Sequence, residues 1–167
     1  MQLTEQDFLT AINKHKGIIY KVSRMYFDNP EDQQDLFQEI ILQLWKSLGT
    51  FKGNSEFSSW MYRVALNTAI VFFKKEKRKP DNYNSKKTEP IAYEDYSDEK
   101  DKQLACFYKA VKELNKIEKA LILQFIDGLS GKEIADNLGL SEVNVRVKIN
   151  RTKIKLQEII KNQGYEF

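Results

Sequence analysis

Between Ser130 and Leu156 the chain carries residue types at a spacing suited to holding DNA. Ser130 and Glu133 can form a capping box at the start of a short helix, Gly139 can supply the left-handed residue that ends it, and Ser141 can cap a second helix. On that second helix Val145, Ile149, Thr152 and Leu156 fall on one face, while Arg146, Lys148, Arg151 and Lys155 project elsewhere. One face packs and another meets phosphate. Ala135 is small enough to let the two helices approach closely, as a tight turn between nearly perpendicular helices requires. The reading is a helix-turn-helix that binds DNA, set against a plain helical hairpin with a solvated basic face.

A second stretch also suits nucleic acid. Residues 51–60 read Phe-Lys-Gly-Asn-Ser-Glu-Phe-Ser-Ser-Trp, and Arg63, Asn67 and a basic run ending at Lys79 follow. Aromatic and amide groups beside cations fit single-stranded DNA, whose unpaired bases can enter pockets while cations hold the backbone. Lys52 and Asn54 are the better contact candidates. Trp60 sits on a helical apolar stripe and is expected in the core.

Composition narrows the class. The 167 residues are 41% hydrophobic, enough for packed cores, and the longest apolar stretch, 69–73, is far too short to span a bilayer. The net charge is only +3, yet charge is segregated: Lys74, Lys75, Lys77, Arg78 and Lys79 precede an acidic stretch holding Glu89, Glu94, Asp95, Asp98, Glu99 and Asp101. The single Cys106 forms no internal disulfide, so a reducing cytosol fits, and the lone His15 lies among polar neighbours as a surface residue. With no metal-ligand cluster, nucleophile motif or phosphate-binding glycine loop, the expectation is a non-enzyme with no metal and no cofactor. No export signal or membrane insertion is expected, and the location is cytoplasmic.

Periodicity supplies the elements that must position these groups. Thr4 begins a helix with Phe8, Leu9, Ile12, Ile19, Val22 and Tyr26 at helical spacing, interrupted at Asp28-Asn29-Pro30. Asn29 and Pro30 start the next, whose stripe of Phe37, Ile40, Ile41, Leu44, Trp45 and Leu48 stops at Gly49. A third runs from about Phe57 to Lys79, where Pro80 ends it. Residues 80–103 read as a flexible acidic linker, with Tyr83, Tyr93 and Tyr96 along it. A helix bearing Leu104, Phe107, Ala110, Val111 and Leu114 opens the second module, and Asn115 with Glu118 caps another before the helix-turn-helix. The fold class is all-α: two small helical domains, 1–79 and 104–167, joined by the linker.

The segment from Asp35 to Trp45, Asp-Leu-Phe-Gln-Glu-Ile-Ile-Leu-Gln-Leu-Trp, resembles the core-polymerase-binding helix of bacterial RNA polymerase sigma factors. The segment from Phe57 to Asn67 resembles the promoter-contacting region that follows it. In order and spacing, with the C-terminal motif, the chain is similar to the extracytoplasmic-function (ECF) group of the sigma-70 family, which keeps only the second and fourth conserved regions. The resemblance implies a subunit that directs promoter-specific initiation. Asp35, Leu36, Gln38, Glu39 and Gln43 would bind core RNA polymerase. Lys52, Asn54, Ser55, Phe57, Ser59, Arg63 and Asn67 would take the unpaired −10 bases. Ser141, Glu142, Asn144, Arg146, Lys148, Arg151 and Lys155 would bind −35 duplex DNA, with Asn144, Arg146 and Lys148 nearest the bases and Arg151 and Lys155 on phosphates. An anti-sigma factor, which could hold the protein at the inner membrane, is the implied regulator.

The chain departs from the common pattern at Leu114-Asn115, where many relatives have Leu-Pro, and at Val143, Asn144 and Val147 in the recognition helix. These departures bear on which −35 sequence is read. A conventional dimeric helix-turn-helix regulator explains residues 104–161 but leaves the pattern from Asp35 to Asn67 as mere packing. An interaction-only helical protein would keep the first module and fail at promoters.

Overall fold

The computed structural model describes residues 3–78 and 99–164, which form seven α-helices and one short 3-10 turn, without strands among them. Helices α1 (Glu5–Tyr26), α2 (Pro30–Ser47) and α3 (Phe57–Arg78) make the first module. Helices α4 (Glu99–Val111), α5 (Lys116–Ile126), α6 (Gly131–Leu138) and α7 (Glu142–Asn162) make the second. Residues 79–98, including the three linker tyrosines, lie outside the described residues. Helix α4 takes up 99–103, the end of the expected linker, and Glu99 and Asp101 in its first turn complement the helix dipole.

Local chemistry explains the helix ends. Thr4 with Asp7, Asn115 with Glu118, and Ser130 with Glu133 each close a reciprocal capping box, satisfying amides that the first turn leaves without partners. Asn29 accepts from the Glu31 amide at 2.8 Å, and Pro30 follows at the first helical position, where its missing N–H costs nothing. Gly139 ends α6 at φ 67°, in the left-handed region that a side chain disfavours.

In the first module Ile19 and Val22 of α1, Leu36, Ile40 and Leu44 of α2, and Met61, Ala65 and Leu66 of α3 are fully buried against one another. Each large aliphatic side chain so buried contributes roughly 1.5–3 kcal/mol. In the second module α5 is central, and its residues from Lys119 to Gln124 are all buried. Its Gln124 is wholly buried yet satisfied, donating to the Ala120 carbonyl and accepting from Asn137 at 2.8 Å. The helix-turn-helix has its own small core of Leu121, Ile134, Ala135, Val145 and Ile149.

The two modules pack on each other. One apolar cluster runs from Met25 and Tyr26 of α1 through Ala69 of α3 to Val111, Leu114 and Ala120 of the second module. Polar contacts rim this seam: Lys21 pairs with Asp127 at 2.7 Å, Lys112 with Asp28, the Tyr26 hydroxyl donates to the Lys116 carbonyl at 2.9 Å, and Arg24 lies over the Tyr108 ring. Burial raises the Tyr26 hydroxyl pKa, which keeps it a donor.

Candidate nucleic-acid interface

Helix α7 is positioned from behind by α4, α5 and α6. Val145, Ile149, Thr152 and Leu156 are buried against these helices, as the sequence pattern requires. Ser141 caps the helix by accepting from the Asn144 amide at 3.1 Å, and Ser141, Glu142, Asn144, Arg146 and Arg151 are all exposed. Lys148 is half-buried on the flank, and Lys155 is exposed but pairs with Glu118 of α5 at 2.9 Å. Burial works against ionisation of Glu118, but hydrogen bonds from Lys155 and the Asn115 amide outweigh it and hold the carboxyl below its usual range. The side of α7 opposite its buried stripe carries Val143, Val147, Asn150 and Ile154, all exposed.

The loop before α3 brings Lys52, Asn54 and Ser55 to the surface, with Gly53 at φ 73° making the turn. Phe57 is half-buried in a ring cluster with Phe51 and Trp60, centroids 5.3–5.5 Å apart, and His15 lies 6.0 Å from Phe57. Trp60 is buried, as expected of a core residue. Arg63 and Asn67 lie one helical turn apart on α3, both exposed. Ser59 departs from the expectation. It is 4% exposed, and its hydroxyl donates to Glu133 of α6 at 3.4 Å, so the second module covers it.

The residues expected to bind polymerase divide three ways on α2. Asp35 and Gln38 are exposed on the outward ridge. Glu39 and Gln43 are half-buried and hydrogen-bonded to each other at 2.8 Å, lining a groove of about 480 Å³ between α2 and α3 together with Asn67 and Lys75. Leu36 is wholly buried, which corrects its expected surface contact: it points with Ile40 and Leu44 into the bundle and supports the ridge from beneath. The ridge carries two residues the sequence reading left out, Leu42 at 44% and Trp45 at 46% exposure, with Trp45 edge-on to Phe8. Leu42 stands one turn after Gln38, a spacing that could have revealed it. Trp45 falls on the apolar stripe of α2 in the sequence, so its periodicity alone places it in the core.

Together these features define a DNA-binding protein of the helix-turn-helix class with a second helical module attached. Residues 11–79 match the family model described as Sigma-70 region 2, and residues 104–156 match Sigma-70, region 4. The chain is 28% identical to RNA polymerase sigma factor SigV of Bacillus subtilis over 159 residues, covering 95% of this chain and 93% of the relative. It is 24% identical to the ECF RNA polymerase sigma factor SigW of the same organism, over 95% of this chain and 91% of SigW. Its fold is similar to that of the sigma factor RpoE from Bartonella quintana, solved with the anti-sigma factor NepR, at a TM-score of 0.75 and 19% identity over 93% of this chain and 98% of that one. The chain belongs to the sigma-70 family of RNA polymerase sigma factors, in its ECF group. Sigma factors are not enzymes; they bind core RNA polymerase and promoter DNA. No described helix is long and apolar enough to cross a membrane.

Proposed function

We propose that the two modules divide promoter recognition between them: α7 reads the −35 duplex, the 51–56 loop and the start of α3 capture unpaired −10 bases, and the outward ridge of α2 docks on core RNA polymerase. The observation that carries this reading is the order of parts on one chain. A region 2 match spans the exposed polar surface of α2 and α3, and a region 4 match spans a recognition helix with exposed cations. A conventional regulator would leave the first of these without a role.

Magnitudes fix the mechanism. Opening about ten base pairs costs on the order of 14 kcal/mol at ~1.4 per stacking step, whereas each captured base returns about 1 to 3. The protein therefore biases an opening that polymerase contacts complete, with duplex binding at −35 setting the register. Asn144, Arg146 and Lys148 act near base edges, Arg151 acts on the backbone, and Lys155 reaches phosphate by leaving Glu118. Ser59 becomes available to DNA only when α6 moves off α3. Leu42 and Trp45 join Asp35 and Gln38 on the polymerase surface, where a partly exposed Trp is the residue type that anchors interfaces. We place the working site of the protein in the bacterial cytoplasm, with an anti-sigma factor as regulator, since the similar RpoE was solved bound to one.

The test is run-off transcription from a promoter library by purified core RNA polymerase with and without the protein. New start sites sharing −35 and −10 elements are the expected result. Duplex binding without initiation would overturn the reading in favour of a conventional regulator.

A further inference from the structure

The outer face of the recognition helix carries three exposed aliphatic side chains. Val143, Val147, Asn150 and Ile154 recur at four-, three- and four-residue steps along the side of α7 opposite its buried stripe, and the three aliphatic residues are 68%, 41% and 54% exposed. Helical geometry puts Arg146 and Lys153 on one flank of this line and Asn144 and Arg151 on the other. An exposed aliphatic line with Arg146 and Lys153 on one side and Arg151 on the other complements a major groove, whose floor is base edges and whose walls are two anionic phosphate backbones.

Valine neither donates nor accepts a hydrogen bond. Set against the amino group of cytosine or adenine, or the acceptors of guanine, its methyls would strip water from polar groups and return nothing. One base offers an apolar group in the major groove: thymine, through its C5 methyl. The N-terminal turns of a recognition helix are the ones that reach base edges, and these turns hold Val143 and Val147, whereas Ile154 lies beyond them. We infer that Val143 and Val147 are specificity-determining residues that select thymine in the −35 element by packing on its C5 methyl. The inference rests on the proposed −35 role of α7 and deepens it by naming the base.

The experiment uses the holoenzyme and a promoter obtained from the run-off library, with each −35 thymine on either strand replaced in turn by deoxyuridine, which lacks only the methyl. Promoter binding and run-off yield are measured for the unaltered protein and for Val143→Ala and Val147→Ala, both exposed positions whose replacement leaves the core untouched. At one or two thymines the change to deoxyuridine should weaken binding about fourfold, the value of one buried methyl group. That sensitivity should shrink in one valine variant and persist in the other, which assigns each valine its base. Two results overturn the inference while sparing the −35 reading: −35-dependent initiation indifferent to deoxyuridine everywhere, or a deoxyuridine effect unchanged by both substitutions. Initiation with no dependence on −35 sequence overturns both.

Discussion

Helix α7 and helix α2 are both amphipathic and both proposed to meet a partner, yet the sequence exposes the face of one far better than that of the other. Behind α7 stand three helices on a single side, so a strict buried stripe leaves most other positions to solvent, with Lys148 and Ile159 half-buried at its edges. Helix α2 lies between α1 and α3, which narrows its free surface to a ridge: Glu39 and Gln43 turn into the groove beside α3, and Phe37 stacks on Tyr20 of α1 at 4.6 Å. A helix held from one side shows its binding residues in its periodicity. A helix flanked on two sides needs its neighbours to be known.

The sharpest way to break this contrast is on α2. Leu36→Ala, at a wholly buried position, should cost about 2–5 kcal/mol of stability in urea unfolding. Gln38→Ala should stay within about 0.5 kcal/mol while weakening polymerase binding. Equal loss of folding in both would show that the ridge is not a separate surface. Trp45→Ala should reduce polymerase affinity by about 2 kcal/mol, roughly thirtyfold, read by competition for core enzyme; an unchanged affinity would remove Trp45 from the interface.

On α7 the expected effects are smaller and more specific. Arg146→Ala should lower discrimination at one −35 base pair by about 1–3 kcal/mol in binding across single-site promoter variants. Arg151→Ala should reduce the slope of log affinity against log salt by about one, uniformly across sequences, and Lys155→Ala by less, because Lys155 must first give up Glu118. A larger slope change for Lys155→Ala would mean that the ion pair is already broken in the bound state.

The smallest expected effect lies where the modules meet. The Ser130 amide, which hydrogen-bonds the Glu133 carboxylate, is the main cause holding its pKa below the usual value; burial opposes it, and the Ser130 and Ser59 hydroxyls add to the lowering. The folded state thus binds fewer protons at this site than the unfolded chain. Stability is present above the ordinary carboxylate pKa and is lost as pH falls through that value toward the lowered one. Glu133→Gln keeps a capping-box side chain but cannot titrate, so unfolding curves from pH 7 to pH 3 should show a shallower acid loss; an identical slope would mean that Glu133 is not coupled to folding.

The helices were legible because their ends are local. Thr4, Asn29, Asn115, Ser130, Gly139 and Ser141 do their work within four residues of themselves, and apolar recurrence needs only the helical period. The cationic flank of α7 was legible for the same reason, and Val143 and Val147 were legible as departures that bear on the −35 sequence, whereas their exposure and that of Trp45 were not, because an apolar residue on a helix reads as core until its exposure is known.

The sequence by itself determined the all-α class, the number and caps of the described helices, the buried stripe of α7 and the resemblance to sigma factors. Only the tertiary structure decided that Leu36 is core and Leu42 surface, that Lys155 is held by Glu118, and that α6 lies against α3 over Ser59. The physical reason is range. Capping and periodicity act between residues a few positions apart, while contacts such as Lys21 with Asp127 and Ser59 with Glu133 join residues 106 and 74 positions apart, and no local pattern encodes them.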